Sequence, residues 1–536
     1  MAPRPRIMYF RDRLHTLKIR EIPQQRRSVK AHDILKESHT RHVLQERTCN
    51  GRMVFCKLCG NGVSHGSITY YCRLCKSYFH KNCLTITNPK IHEHTLTYLR
   101  RKHSFGCDAC GFVRPDEIDM FGCLQCDFFV HRSCIFLPRV IKLTRHSHYL
   151  SHVFHVLDDE AKCGVCQGRF SSGYGGYACV DKTCDYVVHS TCATNINVWD
   201  GIDHVEVEPE EESSSEDASL ELMDDKKVHH FSHDHGLSRI PVDEECWQLC
   251  EACILPIDMG TFLGCKECSF ALHEECARLP QEMDHPLHRH RLTLKVTKEG
   301  FFTCSACNQG SCGFKYQCCQ EDCGFKIDAK CASFTDPFKH KTHKCPLYLR
   351  LEDLANRKSY LCCGCHEHST TVATCTTCED YSFDFKCLNL PPVMRYKYDI
   401  HPLILYFDRI QYKIQQLEKR WDSYLFLDRG RDRQPNSWCD VCEEEVHEYL
   451  LFYVCFICRT TLHAKCILGS YPYMKPGHNI KVKGLKIQIA SNSGASRPIC
   501  HTCHSLCGDK LVFKENDLCF CSLKCMHSTK LVITSE

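Results

Sequence analysis

The chain has 536 residues, of which 47 are cysteine and 35 histidine, with a formal net charge of +3. One cysteine in about eleven residues excludes an ordinary chain of three or four domains of roughly 150 residues and leaves a disulfide-rich secreted protein or a metal-rich intracellular one. The opening residues contain no apolar run of signal-peptide length and no stretch of about 18 apolar residues occurs anywhere, so we read a cytoplasmic or nuclear protein whose cysteines are mostly thiolates on zinc.

In chain order, residues 1–38 are a basic segment with Arg26, Arg27 and Lys30, read as a loosely ordered terminus in preference to a nuclear signal or nucleic-acid arm. A repeated ligand grammar then begins. Unit one (39–92) holds CKLC and CRLCKSYFHKNC, which give Cys56, Cys59, Cys72, Cys75, His80 and Cys83. Unit two (93–146) repeats it as Cys107, Cys110, Cys123, Cys126, His131 and Cys134, and unit three (147–204) as Cys163, Cys166, Cys179, Cys184, His189 and Cys192. Residues 205–228 are acidic and serine-rich and predict a disordered linker, a solvated spacer sooner than a phosphorylation switch. Unit four (229–286) follows with Cys250, Cys253, Cys265, Cys268, His273 and Cys276. Unit five (287–340) has Cys304, Cys307, Cys318, Cys323, Asp328 and Cys331; unit six (341–400), the degenerate one, has Cys362, Cys365, Cys375, Cys378, Asp384 and Cys387. Unit seven (401–480) closes the series with Cys439, Cys442, Cys455, Cys458, His463 and Cys466. The register is fixed by a bulky residue two positions before the third cysteine, namely Tyr70, Phe121, Tyr177, Leu263, Tyr316 and Tyr453, with only the small Ala373 in unit six.

Six inner ligands need two more to complete two tetrahedral zinc ions. The first cysteine pair joins the His-x2-Cys, as Cys56, Cys59, His80 and Cys83, and the second pair takes one outer histidine from each side of the unit. The candidates are His42 and His92 for unit one, His94 and His146 for unit two, His148 and His204 for unit three, His235 and His285 for unit four, and His290 and His340 for unit five. His343, His401 and His478 remain for units six and seven, one too few, and we place the defect in unit six with His366 or His368 as substitutes. Asp328 and Asp384 stand where the other five units have histidine, either as carboxylate ligands or as marks of decayed sites. Interleaving ties both ends of each unit to its middle, which matters in a segment too small to bury much apolar surface.

This order of His, Cys-x2-Cys, Cys-x2-Cys-x4-His-x2-Cys and closing histidine resembles the divergent C-one domain, a plant relative of the diacylglycerol-binding zinc domain of protein kinase C. The linkers LPQEMDHPLHRHRLTL (Leu279 to Leu294) and YDIHPLIL (Tyr398 to Leu405) are similar to that family's connecting phrase. The resemblance implies small zinc-stabilised α+β modules with short antiparallel strands and one short helix, and a role in intracellular signalling or stress response. It implies no reaction.

Phe407, Ile410, Ile414, Leu417, Trp421 and Tyr424 recur at steps of three and four within unit seven, which predicts a helical insertion whose apolar face packs on its own zinc units. The tail (481–536) offers Cys500, Cys503, Cys521 and Cys525 as a four-cysteine zinc hairpin similar to the FCS-like zinc finger, with His504, Cys507 and Cys519 as competing ligands. Cys49, Cys246, Cys312, Cys319, Cys345, Cys363, Cys507 and Cys519 fall outside the scheme and are read as small, partly buried apolar residues.

Zinc thiolate sites carry negative charge, so the metal-loaded chain stands near about −6, the wrong sign for a general phosphate binder. Three function classes are weighed. A scaffold whose loops bind other proteins meets no objection. A lipid-responsive regulator would need an apolar loop between the cysteine pairs; Ile254, Leu255, Pro256, Ile257 and Met259 come nearest, against Arg114, Asp116, Glu117 and Asp119 in unit two and Glu443 to Glu445 in unit seven. An enzyme is disfavoured: Cys-x2-Cys occurs without a βαβ pattern, the ligand order is not that of a RING ubiquitin ligase, and no other catalytic set stands out.

Overall fold

The structure is a computed structural model that describes residues 44–49, 54–73, 76–87, 89–100, 106–112, 119–123, 125–126, 128–154, 156, 160–170, 174–181, 183–204, 220–224, 227–243, 248–297, 300–340, 343–350, 359–378, 381–407, 437–447, 450–482, 485–493 and 496–528. The chain divides into two compact units, Met1–Glu212 and Ser213–Glu536. The basic N-terminal segment, His42, Cys75, Cys246 and the predicted helical insertion beyond Phe407 lie outside the described residues.

Each module is a small antiparallel sheet with a one-turn helix. In unit five the sheet order is Glu282–His285, His288–Lys295, Lys315–Cys318 and Lys326–Asp328. The period-two pattern of the sequence decides the faces: in KYQC, Tyr316 and Cys318 are buried while Gln317 between them is exposed. The leading strand pairs with the strand of the third cysteine, Leu292 opposite Cys318, and that strand pairs with the one that ends at the inner ligand, Tyr316 opposite Ile327. A four-residue helix, Ala329–Ala332, then carries the last cysteine. The same plan recurs in unit three as Val140–Ile141, Leu150–Val153, Gly176–Cys179 and Val187–His189, followed by the helix Ser190–Ala193.

The bulky register residue is buried in units two to five and seven, whereas Tyr70 of unit one is half-buried with its hydroxyl donating to Glu46 at 3.3 Å. Tyr177, Tyr316 and Tyr453 are fully buried, and each hydroxyl donates to a proline carbonyl in the linker just ahead of its module: Pro138 at 2.7 Å, Pro280 at 2.6 Å and Pro391 at 2.7 Å. A buried phenol needs such an acceptor, so the tyrosine both fills the core and fixes the angle at which the chain enters. The modules also share cores. Apolar side chains of units four to seven form one continuous cluster from Leu237 to Tyr473, and units one and two share another from Cys56 to Leu137.

The acidic linker is shorter than its composition predicts. Leu220–Asp224 is a strand paired antiparallel with Lys227–His230, ahead of the leading strand of unit four. Leu220 and Leu222 alternate with Glu221, a period-two pattern that the surrounding acidic residues conceal. Phe407, the first residue of the predicted helical face, is buried just after the strand Leu403–Tyr406.

Candidate metal centres

The inner sites follow from one local turn. After the second cysteine of the first pair, the backbone enters the left-handed region in all eight modules, at Gly60, Gly111, Gln167, Ile254, Asn308, His366, Glu443 and His504. The N–H of that residue returns to the carbonyl of the first cysteine, as in Gly111 to Cys107 at 2.7 Å and His504 to Cys500 at 2.9 Å. This turn points both thiols the same way. It also assigns His366 and His504: both are exposed turn residues, and neither joins a site. His368 is exposed as well, with Nδ1 3.5 Å from Ser359 Oγ.

Cys56, Cys59, His80 and Cys83 converge with their ligand atoms within 4.8 Å of one another, as do Cys107, Cys110, His131 and Cys134, and Cys163, Cys166, His189 and Cys192. In unit four His273 Nδ1 lies 3.4 Å from Cys253 Sγ and 3.9 Å from Cys276 Sγ, with its backbone N–H 3.5 Å from Cys250 Sγ. In unit seven His463 Nδ1 is 3.3 Å from Cys442 and 3.8 Å from Cys466, beside Cys439. The other ring nitrogen is held by a carbonyl of the first hairpin: His189 Nε2 by Arg169 at 3.2 Å, His273 by Pro256 at 3.2 Å and His463 by Glu445 at 3.1 Å. Such a second partner fixes the tautomer and leaves Nδ1 for metal. A backbone N–H also points at the first thiolate, from His80, His131, His189 and Cys521 at 3.4 Å each, which favours the charged sulfur.

Asp328 and Asp384 take the histidine place. Asp328 Oδ2 is 3.3 Å from Cys307 Sγ, within the set of Cys304 and Cys331, while Oδ1 accepts the N–H of Cys331 at 2.7 Å and caps the helix. Asp384 repeats this with Cys365 at 3.3 Å and the N–H of Cys387 at 2.8 Å, beside Cys362. The carboxylate therefore faces the thiols as Nδ1 does elsewhere.

The outer sites are built differently from the one-before, one-after scheme. His92 and His94 sit together with Cys123 and Cys126, and His146 and His148 with Cys179 and Cys184. Thus His92 belongs to unit two, not unit one, and His146 to unit three, not unit two. In unit four Cys268 lies 3.4 Å from His233 Nε2 and Cys265 3.6 Å from His235 Nδ1; in unit five Cys323 lies 3.5 Å from His288 Nε2 and Cys318 3.4 Å from His290 Nδ1. Units two to five take both outer ligands from the start of their own leading strand, as at His233 and His235 or His288 and His290, or from the residues just before it, as at His92, His94, His146 and His148. A leucine follows two residues later and is fully buried in every case: Leu96, Leu150, Leu237, Leu292, Leu347 and Leu403.

The first ligand of each pair stacks on an aromatic ring just after the fourth cysteine. His92 lies on Phe128 at 4.5 Å, His146 on Tyr186 at 4.1 Å, His233 on Phe270 at 4.2 Å, His288 on Phe325 at 4.2 Å and His343 on Tyr381 at 5.0 Å. Burial holds the pKa of His92, His146 and His288 down to about 4, so each imidazole is neutral and offers its lone pair to a cation. His92 Nε2 and both nitrogens of His343 are buried with no hydrogen-bond partner among the described residues. An orphaned imidazole beside thiols is what a zinc ligand set shows when the ion is taken away.

The missing ligand of unit six is Cys345. Its Sγ is 3.8 Å from Cys378 Sγ, next to Cys375, two residues after His343. The defect expected in unit six is thus not there, and Cys345 is no spare thiol. His401 goes to unit seven, with Nδ1 3.3 Å from Cys458 beside Cys455, and Asp399 holds the place of the stacked histidine.

Four expected ligands have other work. His285 Nε2 is 3.2 Å from the carbonyl of Cys331, and His340 is hydrogen-bonded to the backbone of Cys387, so each ties the start of its module to the last cysteine. His204 packs on Tyr149 with Nε2 4.0 Å from Asp200, and His478 Nε2 meets the carbonyl of Gly300 at 2.8 Å. For unit one, Cys72 is buried, whereas its expected partners His42 and Cys75 lie outside the described residues. In the tail Cys503 and Cys521 are 3.7 Å apart and Cys521 and Cys525 3.5 Å, beside Cys500, with Cys507 and Cys519 packed against the cluster. Besides the five ligand groups of units one to three, the described residues hold nine more groups able to bind a metal ion. Thiolate and imidazole donors in tetrahedral number suit zinc, which supplies cross-linking here.

Comparison with known proteins agrees with this geometry. A family model described as C1 domain matches residues 90–135, 144–193, 231–277, 286–332 and 419–467, and one described as C1 domain-like, C-terminal matches residues 487–526. No curated protein and no solved structure matched the chain. Units one and six lie outside the matches, and the fifth match begins after Asp399 and His401.

Proposed function

The chain belongs to the family of cysteine/histidine-rich proteins built from repeated C1 domains, and from that premise we propose that it is a scaffold: zinc holds its modules and their exposed edges bind other proteins, without catalysis. The observation that carries this reading is closed coordination. Every inner site described has four protein donors, and a catalytic zinc keeps a position open for water or substrate. Surface composition supports it too. Phe55, Leu361, Trp438 and Ile499 each stand immediately before the first cysteine of a module and are exposed, and of these tryptophan is a residue type enriched at the hot spots of protein interfaces. The role in intracellular signalling or stress response implied by the family resemblance suits such a scaffold.

A lipid-inserting role has less support. In the loop of unit four that comes nearest to a membrane finger, Leu255 and Ile257 are buried in the core cluster and Ile254 is buried too, which leaves Met259 as its one large exposed apolar side chain. Among the described residues no helix is long and apolar enough to cross a membrane. The test is capture of partners by the zinc-loaded full chain, compared with a chain carrying Phe55→Ser, Leu361→Ser, Trp438→Ser and Ile499→Ser. The reading expects bound proteins to be lost while zinc content stays the same. Capture that is unaffected, or cobalt-substituted sites whose visible spectrum shifts on adding azide, would oppose it.

A further inference from the structure

Carboxylates replace imidazoles at three ligand positions, and one of the three has distinct surroundings. Asp328 and Asp384 are 2% and 3% exposed, and each belongs to an inner site sealed by the core cluster. Asp399 belongs to an outer site, where Cys458 is exposed and the His401 side chain is 34% exposed. The Asp399 side chain is itself fully buried beneath these groups. Its Oδ1 accepts the N–H of His401 at 2.9 Å and lies 3.6 Å from His401 Nδ1, while Oδ2 is buried with no hydrogen-bond partner among the described residues. The thiols of Cys455 and Cys458 and the Thr460 hydroxyl lie against the carboxylate. Asp399 is two residues before His401 and four before the buried Leu403, the place held by His92, His146, His233, His288 and His343 in the other modules.

The substitution comes as a pair. Where the first outer ligand is histidine, an aromatic ring lies over it; where it is Asp399, the residue two after the fourth cysteine is Thr460. We propose that Asp399, His401, Cys455 and Cys458 form a zinc site of two thiolates, one imidazole and one carboxylate, and that this zinc is the most readily exchanged among the sites of the described residues. Two properties set exchange. A carboxylate oxygen is a harder donor than imidazole and a poorer match to zinc among thiolates, and an exposed site admits an attacking ligand. The outer sites of units two and four share an exposed cysteine, Cys126 and Cys268, but have two imidazoles, one beneath a ring; those of units three and five have two imidazoles and no exposed cysteine; the inner sites of units five and six share the carboxylate but are sealed. Among the described residues the two properties meet at Asp399. When zinc leaves, the two thiolates take up protons and the inner site of unit seven keeps its own ion.

The test mixes the zinc-loaded full chain with a substoichiometric colorimetric zinc chelator and follows release. A fast phase of one zinc per chain is expected. Asp399→His should slow that phase at least about tenfold, the low end of the effect of altering the surroundings of a metal ligand, and Asp399→Ala should lower total zinc by one with the circular dichroism unchanged. A chain without a fast phase, or one whose fast phase survives Asp399→His, would overturn the proposal. So would a fast phase abolished instead by Asp328→His or Asp384→His.

Discussion

Inner and outer sites of the same module draw their ligands from different kinds of structure. An inner site is read from two tight local pieces, a left-handed cysteine turn and a His-x2-Cys helix start, brought together by one strand pairing. An outer site joins a cysteine pair to two residues far upstream, at the start of the leading strand or just before it, such as His233 and His235 for Cys265 and Cys268. The inner set is deeply buried in units two and five but includes the exposed Cys166 in unit three and Cys442 in unit seven, and the outer sets pair a buried third cysteine with an exposed fourth one at Cys126, Cys268 and Cys458. Outer positions vary in chemistry, as His-x-His, His-x-Cys at 343–345 and Asp-x-His at 399–401, while in units one to seven the inner position changes only between histidine and aspartate and in the tail it is Cys521.

The largest effect that can break this contrast is removal of all zinc. Structural zinc supplies on the order of 10 kcal/mol or more per site in small modules, so a strong chelator should abolish the native circular dichroism of both compact units. Retention of the native spectrum at zero zinc would mean that the shared cores of units four to seven suffice alone.

Acid should separate the two classes. The stacked histidines His92, His146 and His288 have folded pKa values near 4, below the ordinary 6.5. The folded chain therefore binds fewer protons than the unfolded one in that window, so their contribution is full above about pH 6.5 and is lost as pH falls towards 4. Proton uptake by thiolates acts in the same direction. Zinc content against pH should show outer zinc lost before inner zinc, and simultaneous loss would remove the distinction.

Single ligands should show it at smaller scale. His131 is 0% exposed, and His131→Ala leaves three buried thiols without their fourth donor; it should cost several kcal/mol, in the range of breaking a buried charged network, about 3–5 kcal/mol. His94→Ala should remove the outer zinc of unit two and spare hydrogen-exchange protection around Cys107 and Cys134. The smallest effect concerns the linker contacts. Tyr316→Phe deletes the hydroxyl that reaches Pro280 and should destabilise unit five by about 1 kcal/mol in urea denaturation with no loss of zinc.

The inner grammar was legible because all its ligands lie within about 30 residues at near-constant steps, and a bulky residue marks the register. The outer pairs were written in the sequence as well, as His-x-His-x-Leu at 92–96, 146–150, 233–237 and 288–292. They were obscured by abundance. With 35 histidines, a flanking residue exists on either side of most units, and His285 and His340 look like closing ligands although their task is to hold a backbone carbonyl. Cys345 and Asp399 were hidden for the opposite reason: neither is a histidine, and only the strand register shows that each stands beside a cysteine pair. The strand Leu220–Asp224 was masked by acidic composition, which reports solvation and not backbone pairing.

The central claim is that units two to seven each take both outer ligands from the start of their own leading strand or the residues just before it, and His92 tests it most directly because it could otherwise serve unit one. Zinc-loaded His92→Ala should contain one zinc fewer, and brief alkylation followed by mass spectrometry should find Cys123 and Cys126 newly reactive while Cys72 stays protected. New reactivity at Cys72 with Cys123 and Cys126 still protected would contradict the account.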